Sequence, residues 1–84
     1  MIYLIEYDRP SGRMVTFETF GETERLKAED ARLELELELQ RRGVKHEVVI
    51  LEAASEAALR RTHRRYFESL SEIARSGMDG DRLE

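Results

Sequence analysis

The sequence predicts an α+β domain of order ββαβα: a three-stranded sheet, an N-terminal hairpin plus one later strand, packed against a long helix, with a second amphipathic helix after it. Three observations carry this prediction. Two runs rich in β-branched and aromatic residues flank a turn near the start, a long stretch of helix formers ends in a glycine, and an apolar "VVIL" precedes a serine-capped amphipathic segment.

The hairpin comes first. Ile2-Tyr3-Leu4-Ile5 and Met14-Val15-Thr16-Phe17 are strand material, and "DRPSGR" between them is turn chemistry. Pro10 presets φ for the first corner and Gly12 can take φ > 0 at the exit, which predicts a type I turn with a G1 bulge.

From Glu22 to Arg42 two signals compete. "RLELELELQ" alternates apolar and acidic with period two, the strand template. Composition outweighs it: Leu, Glu, Ala, Lys, Gln and Arg are helix formers, acids crowd the start, Arg41 and Arg42 sit in the last turn, and Gly43 stands at C′. On the resulting helix Leu26, Leu33 and Leu37 fall on one side, and Ala28, Ala31, Leu35 and Leu39 nearly opposite. One face is expected on the sheet, and the other on the second helix or on another copy of the protein.

Val44 to Ala53 holds "VVIL", a run that suits a strand covered on both faces, central or nearly so. Ser55 then takes the N-cap place with Glu56 in the first turn, and a helix is expected to about Ala74. Residues 1–75 thus read as one small domain and 76–84, Gly-rich and charged, as a mobile tail. Leu83-Glu84 has the form of an expression-vector scar and carries no functional argument. A crossover by the long helix suggests sheet order 2-1-3 with the third strand parallel to the first; an all-antiparallel sheet is the alternative.

Composition excludes several functions. A chain of 84 residues buries a thin core, so a partner surface would help it. The absence of Cys closes disulfide, thiolate-metal and thiol-enzyme readings. No segment has the form of a signal peptide or reaches membrane-span length, so a cytoplasmic address with no membrane contact is expected. The net charge of −4 weighs against non-specific nucleic-acid binding unless a local basic patch overrides it.

That patch is "LRRTHRRYF". Wound on a helix, Leu59, Thr62, His63, Tyr66, Phe67, Leu70, Ile73 and Ala74 form an apolar side, with Arg60, Arg61, Arg64, Arg65 and Arg75 on the other. Glu56–Arg60, Arg64–Glu68 and Arg65–Glu68 have ion-pair spacing, which suits a solvated face. The competing reading sets Arg60, Arg61, Arg64 and Arg65 on phosphates with Tyr66 or Phe67 stacking on bases, but the wheel draws both aromatics toward the core. His63 reads as a core or interface histidine. His46 and His63 show no metal-ligand spacing, and no nucleophile motif or phosphate loop is present, so neither catalysis nor a cofactor is expected.

"IYLI", then "FGET" followed by Arg25-Leu26, then "SEAALRR" opening the last helix, resemble the layout of the GIY-YIG nuclease domain. That resemblance implies a metal-dependent nuclease fold. Thr19-Phe20-Gly21 stands where the family carries its Tyr-Ile-Gly, and Thr62 where its metal-binding glutamate belongs, so a fold relationship without nuclease activity is what the likeness supports.

The sequence therefore points to a non-catalytic interaction module, a homodimer or the partner of another protein. Leu35, Leu39, His63, Tyr66 and Leu70 are the expected interface. Nucleic-acid binding through the four arginines is the alternative, and a degenerate nuclease comes last.

Overall fold

In the computed structural model, residues 1–67 are described. They form β1 (Ile2–Asp8), β2 (Arg13–Phe20), a 3₁₀ turn (Glu22–Glu24) leading into α1 (Arg25–Arg42), β3 (Glu47–Glu52), α2 (Glu56–Thr62) and a final 3₁₀ turn (Arg64–Tyr66). The expected tail, Leu70 and the far end of the expected last helix lie outside the described residues. No helix among the described residues is long and apolar enough to cross a membrane.

The hairpin forms with a four-residue loop, Arg9 to Gly12, closed by the Asp8–Arg13 pair. Gly12 takes φ 67°, and its amide donates to the carbonyls of Asp8 (2.8 Å) and Arg9 (3.2 Å). The register shift falls opposite Glu6 and Tyr7, which leaves Val15 as the extra residue, so the bulge sits inside β2 and not at the glycine.

The order of the sheet is β2-β1-β3, as expected, but β3 runs antiparallel to β1. The reason is the length of α1. It begins where β2 ends and, at 1.5 Å per residue, travels roughly 27 Å, back to the far end of the sheet. A strand starting there runs parallel to β2 and opposite to β1, which lies between them. The "VVIL" strand is accordingly an edge, and β1 is the centre.

From Ile2 to Tyr7 every residue of β1 is buried. Alternation sends Tyr3, Ile5 and Tyr7 to one face, where Leu59 of α2 and Tyr66 complete the core, with Met14, Phe17, Val49, Leu51, Ala53 and Phe67 around them. Ile2, Leu4 and Glu6 point to the other face, under α1, whose Ala28 and Leu39 are buried. The two helices therefore cover opposite faces of the sheet in three layers, so of the two covers expected for the other face of α1 the second helix is not the one used by the described residues.

The helix reading of "RLELELELQ" holds, and Gly43 ends α1 as expected. It sits at φ 70°, with its amide on Gln40 O (3.2 Å) and the Val44 amide on Leu39 O (2.9 Å). Ser55 caps α2 by accepting from the Ala58 amide at 3.1 Å. The last helix does not run through to Tyr66. The Thr62 hydroxyl donates back to the Ala58 and Leu59 carbonyls (3.1 and 3.3 Å), the helix stops, and His63 turns the chain at φ −130°.

Two substitutions check this arrangement by thermal or urea melts. Leu59→Ala empties a fully buried site between α2 and the sheet, at an expected cost of about 2–5 kcal/mol. Gly43→Ala meets no neighbour but must hold a left-handed backbone, at a cost of about 1 kcal/mol.

Candidate interaction edge and its polar clusters

The hydrogen-bond phase of β3 follows from one pair. Met1 and Ala53 exchange two bonds of 3.1 Å, the Met1 terminal ammonium donating to the Ala53 carbonyl and the Ala53 amide to the Met1 carbonyl. Antiparallel pairs alternate between bonded and non-bonded, so Leu51, Val49 and Glu47 turn their backbone groups toward β1. Val48, Ile50 and Glu52 turn theirs outward, away from the sheet.

Among the described residues, that outer edge carries none of the usual defences. Val48, Val49, Ile50 and Leu51 are four consecutive apolar strand formers, each half-buried, with no Pro, bulge or central charge. The opposite edge, β2, has the Val15 bulge and exposes Arg13, Glu18 and Thr19. Beside β3, on the α1 face, Leu39, Gln40, Val44, Lys45, His46 and Val48 help line a cavity of about 320 Å³.

Two polar clusters pin the start of β3, one on each face. On the α1 side, the buried Glu6 carboxyl accepts from Thr16 Oγ1 (2.7 Å) through one oxygen and meets His46 Nδ1 (2.6 Å) through the other. Asp8 stands 4.0 Å from the other ring nitrogen of His46. On the α2 side, Glu47 Oε2 accepts from Tyr66 Oη (2.6 Å) and Arg65 Nη2 (2.8 Å), while Glu47 Oε1 is buried without a hydrogen-bond partner. Desolvation, then the carboxylate beside it, pushes the Tyr66 hydroxyl up to about 12. The same Tyr66 hydrogen bond, backed by Arg65, holds Glu47 below the ordinary carboxylate range.

The arginine face expected on one helix is divided. Arg65 is drawn across to Glu47, and its guanidinium lies 4.2 Å from the Tyr66 ring centroid. Arg60 pairs with Glu56 as its spacing predicts (2.9 Å) and caps the Phe67 ring at 4.4 Å. Arg60, Arg61, Arg64 and Phe67 line a second cavity of about 250 Å³. Glu68, the expected partner of Arg64 and Arg65, is outside the described residues.

Of the expected interface residues, Leu39 and Tyr66 are committed to this chain's own core and Leu35 is half-buried. His63 is half-buried at the end of α2, its Nδ1 2.9 Å from Thr62 Oγ1 and its ring 6.3 Å from that of Tyr66. The leucines left open on α1 are Leu26, Leu33 and Leu37, at 77%, 55% and 49% exposure. Among the described residues no group of three His, Cys, Asp or Glu is placed to hold a metal ion, and the Thr62 hydroxyl is turned back on its own helix. No family model, curated protein or solved structure matches the chain.

Both clusters can be tested by removing one oxygen. Thr16→Val keeps the shape and leaves a buried Glu6 acceptor unmet, at an expected cost of about 1–3 kcal/mol. Tyr66→Phe removes a bond to a charged group, about 1.5–3 kcal/mol. Because folding raises Tyr66 from 10 to about 12, its contribution is complete below pH 10 and is lost as pH rises toward 12. Glu47, lowered on folding, contributes above its ordinary value of 4.5 and loses that contribution as pH falls below it. Melting curves across pH should show the alkaline decline shrinking in Tyr66→Phe.

Proposed function

We propose that the protein is a small interaction module without a catalytic site, and that its partner is a second copy of itself joined edge to edge through β3. One observation carries this: β3 presents outward backbone donors and acceptors on a four-residue apolar run, while the other edge of the same sheet is interrupted by the bulge at Val15 and exposes Arg13, Glu18 and Thr19. Pairing two such edges joins the sheets into one of six strands and covers apolar surface that a thin core leaves half open.

Light scattering on the eluting protein should give twice the chain mass. Val48→Pro deletes a donor that faces away from β1, a position where a sheet tolerates proline, and should give a folded monomer by circular dichroism. Leu33→Lys charges the open α1 stripe and should leave the dimer intact. A dimer lost in Leu33→Lys and kept in Val48→Pro would move the contact to the helix and overturn the edge pairing.

A second reading, nucleic-acid binding, is favoured by the cavity that Arg60, Arg61 and Arg64 share with Phe67. It requires that a mixed oligonucleotide pool bind at low salt, that affinity fall steeply as salt rises, and that Arg61→Glu weaken it. No binding at low salt removes it.

A further inference from the structure

We infer that the cavity beside Val48 is the socket for Ile50 of the second copy, which fixes a two-fold axis at Val49; this rests on the edge pairing proposed above. The phase of the ladder limits the choices. Only Val48, Ile50, Glu52 and, continuing the alternation, His46 face outward, so bonded pairs must join members of that set. Registers that oppose an outward residue to an inward one are excluded.

Four symmetric registers are centred on the apolar run Val48 to Leu51, and centring on Leu51 sets Glu52 of the other copy against Ile50, a carboxylate on an apolar side chain. Centring on Ile50 sets Glu52 of the other copy against Val48, a carboxylate on an apolar wall. Centring on Val48 leaves the strands overlapping less and sets Ile50 against His46. Centring on Val49 pairs Val48 with Ile50 and His46 with Glu52, each twice by symmetry.

Side chains of a bonded pair share a face with Cβ atoms about 5.5 Å apart, so Ile50 of the second copy lies beside Val48 on the α1 face. That is where the cavity is. Leu39, Gln40, Val44 and His46 line it with Val48, and no residue of β1 or β2 contributes, so it lies on the outer side of β3. The same register brings Glu52 of the second copy beside Lys45 and beside His46, whose ring nitrogens already face Glu6 and Asp8, and its other neighbour is Arg25 of its own chain. Glu36, also on the cavity wall, faces Arg32 at 4.0 Å.

The lack of native cysteine makes a single-cysteine scan a direct test. Val49→Cys, Val48→Cys and Ile50→Cys are each oxidised with glutathione disulfide and read on non-reducing gels. At a two-fold on Val49, a non-bonded position with Cα atoms about 4.5 Å apart, only Val49→Cys should form a covalent dimer rapidly. Rapid cross-linking of Val48→Cys or Ile50→Cys instead overturns the register and socket while leaving edge pairing standing. A dimer by light scattering in which none of the three cross-links overturns both, as does a protein that is monomeric throughout. Ile50→Ala, checked for retained fold, should weaken dimerisation roughly tenfold or more if the socket is occupied. An unchanged dimerisation constant overturns the socket alone.

Discussion

β1 is the strand on which everything else rests, because it is buried on both faces and bonded on both edges. A strand in that position needs two covers. An 84-residue chain supplies them by sending α1 over Ile2, Leu4 and Glu6 and by returning α2 and the Tyr66 turn over Tyr3, Ile5 and Tyr7. The aromatic contacts belong to that second layer: Tyr7 meets Tyr66 edge-on at 5.1 Å, and Phe17 stacks on Tyr3 and receives Phe67 edge-on, both at 5.6 Å. Burying β1 so completely also buries Glu6, and a buried carboxyl must find partners.

The two polar clusters set the register of β3. His46 and Glu47 are sequence neighbours whose side chains leave on opposite faces, one to Glu6 and the other to Tyr66 and Arg65. A slip of one residue would exchange them. The Glu47 carboxyl would then face Glu6, and the imidazole would face a guanidinium, with both hydrogen-bond sets broken at once. The apolar run that follows, with Val and Leu or Ile on both faces, does little to resist such a slip on its own. Register at this edge is thus held by polar groups at its start, where they are costly if mismatched, while apolar residues supply the burial.

How far the sequence could be read depends on the range of the interactions. The hairpin and α1 were legible because Gly12, Gly43 and the helix-forming composition act within a few residues of themselves. Apolar character on both faces of "VVIL" is legible too, but it says nothing about whether a strand has one neighbour or two, so by itself it points to a central or nearly central strand while the expected 2-1-3 order points to the edge that β3 occupies. A helical wheel across "LRRTHRRYF" holds only for one continuous helix, and α2 ends at Thr62 because His63 leaves helical geometry at φ −130°. The Glu6–His46 contact spans 40 residues and exists only once β1 and β3 pair. Its trace in the sequence is Glu6, an acid inside an apolar strand that needs a partner.

The asymmetry between the sheet's two edges bears most directly on function. Arg13, Glu18 and the bulge at the exposed Val15 make β2 a poor template for another strand. The same devices on β3 would have been equally available, since Val48 and Ile50 lie on a half-open face where a lysine would be tolerated. An edge that stays apolar while the other is defended, with a cavity beside it and His46 and Glu52 at opposite ends, is what the proposed edge pairing rests on. A two-fold dimer turns the same edge inward, meets its outward amides with their own counterparts, and leaves only the bulged β2 strands at the rim.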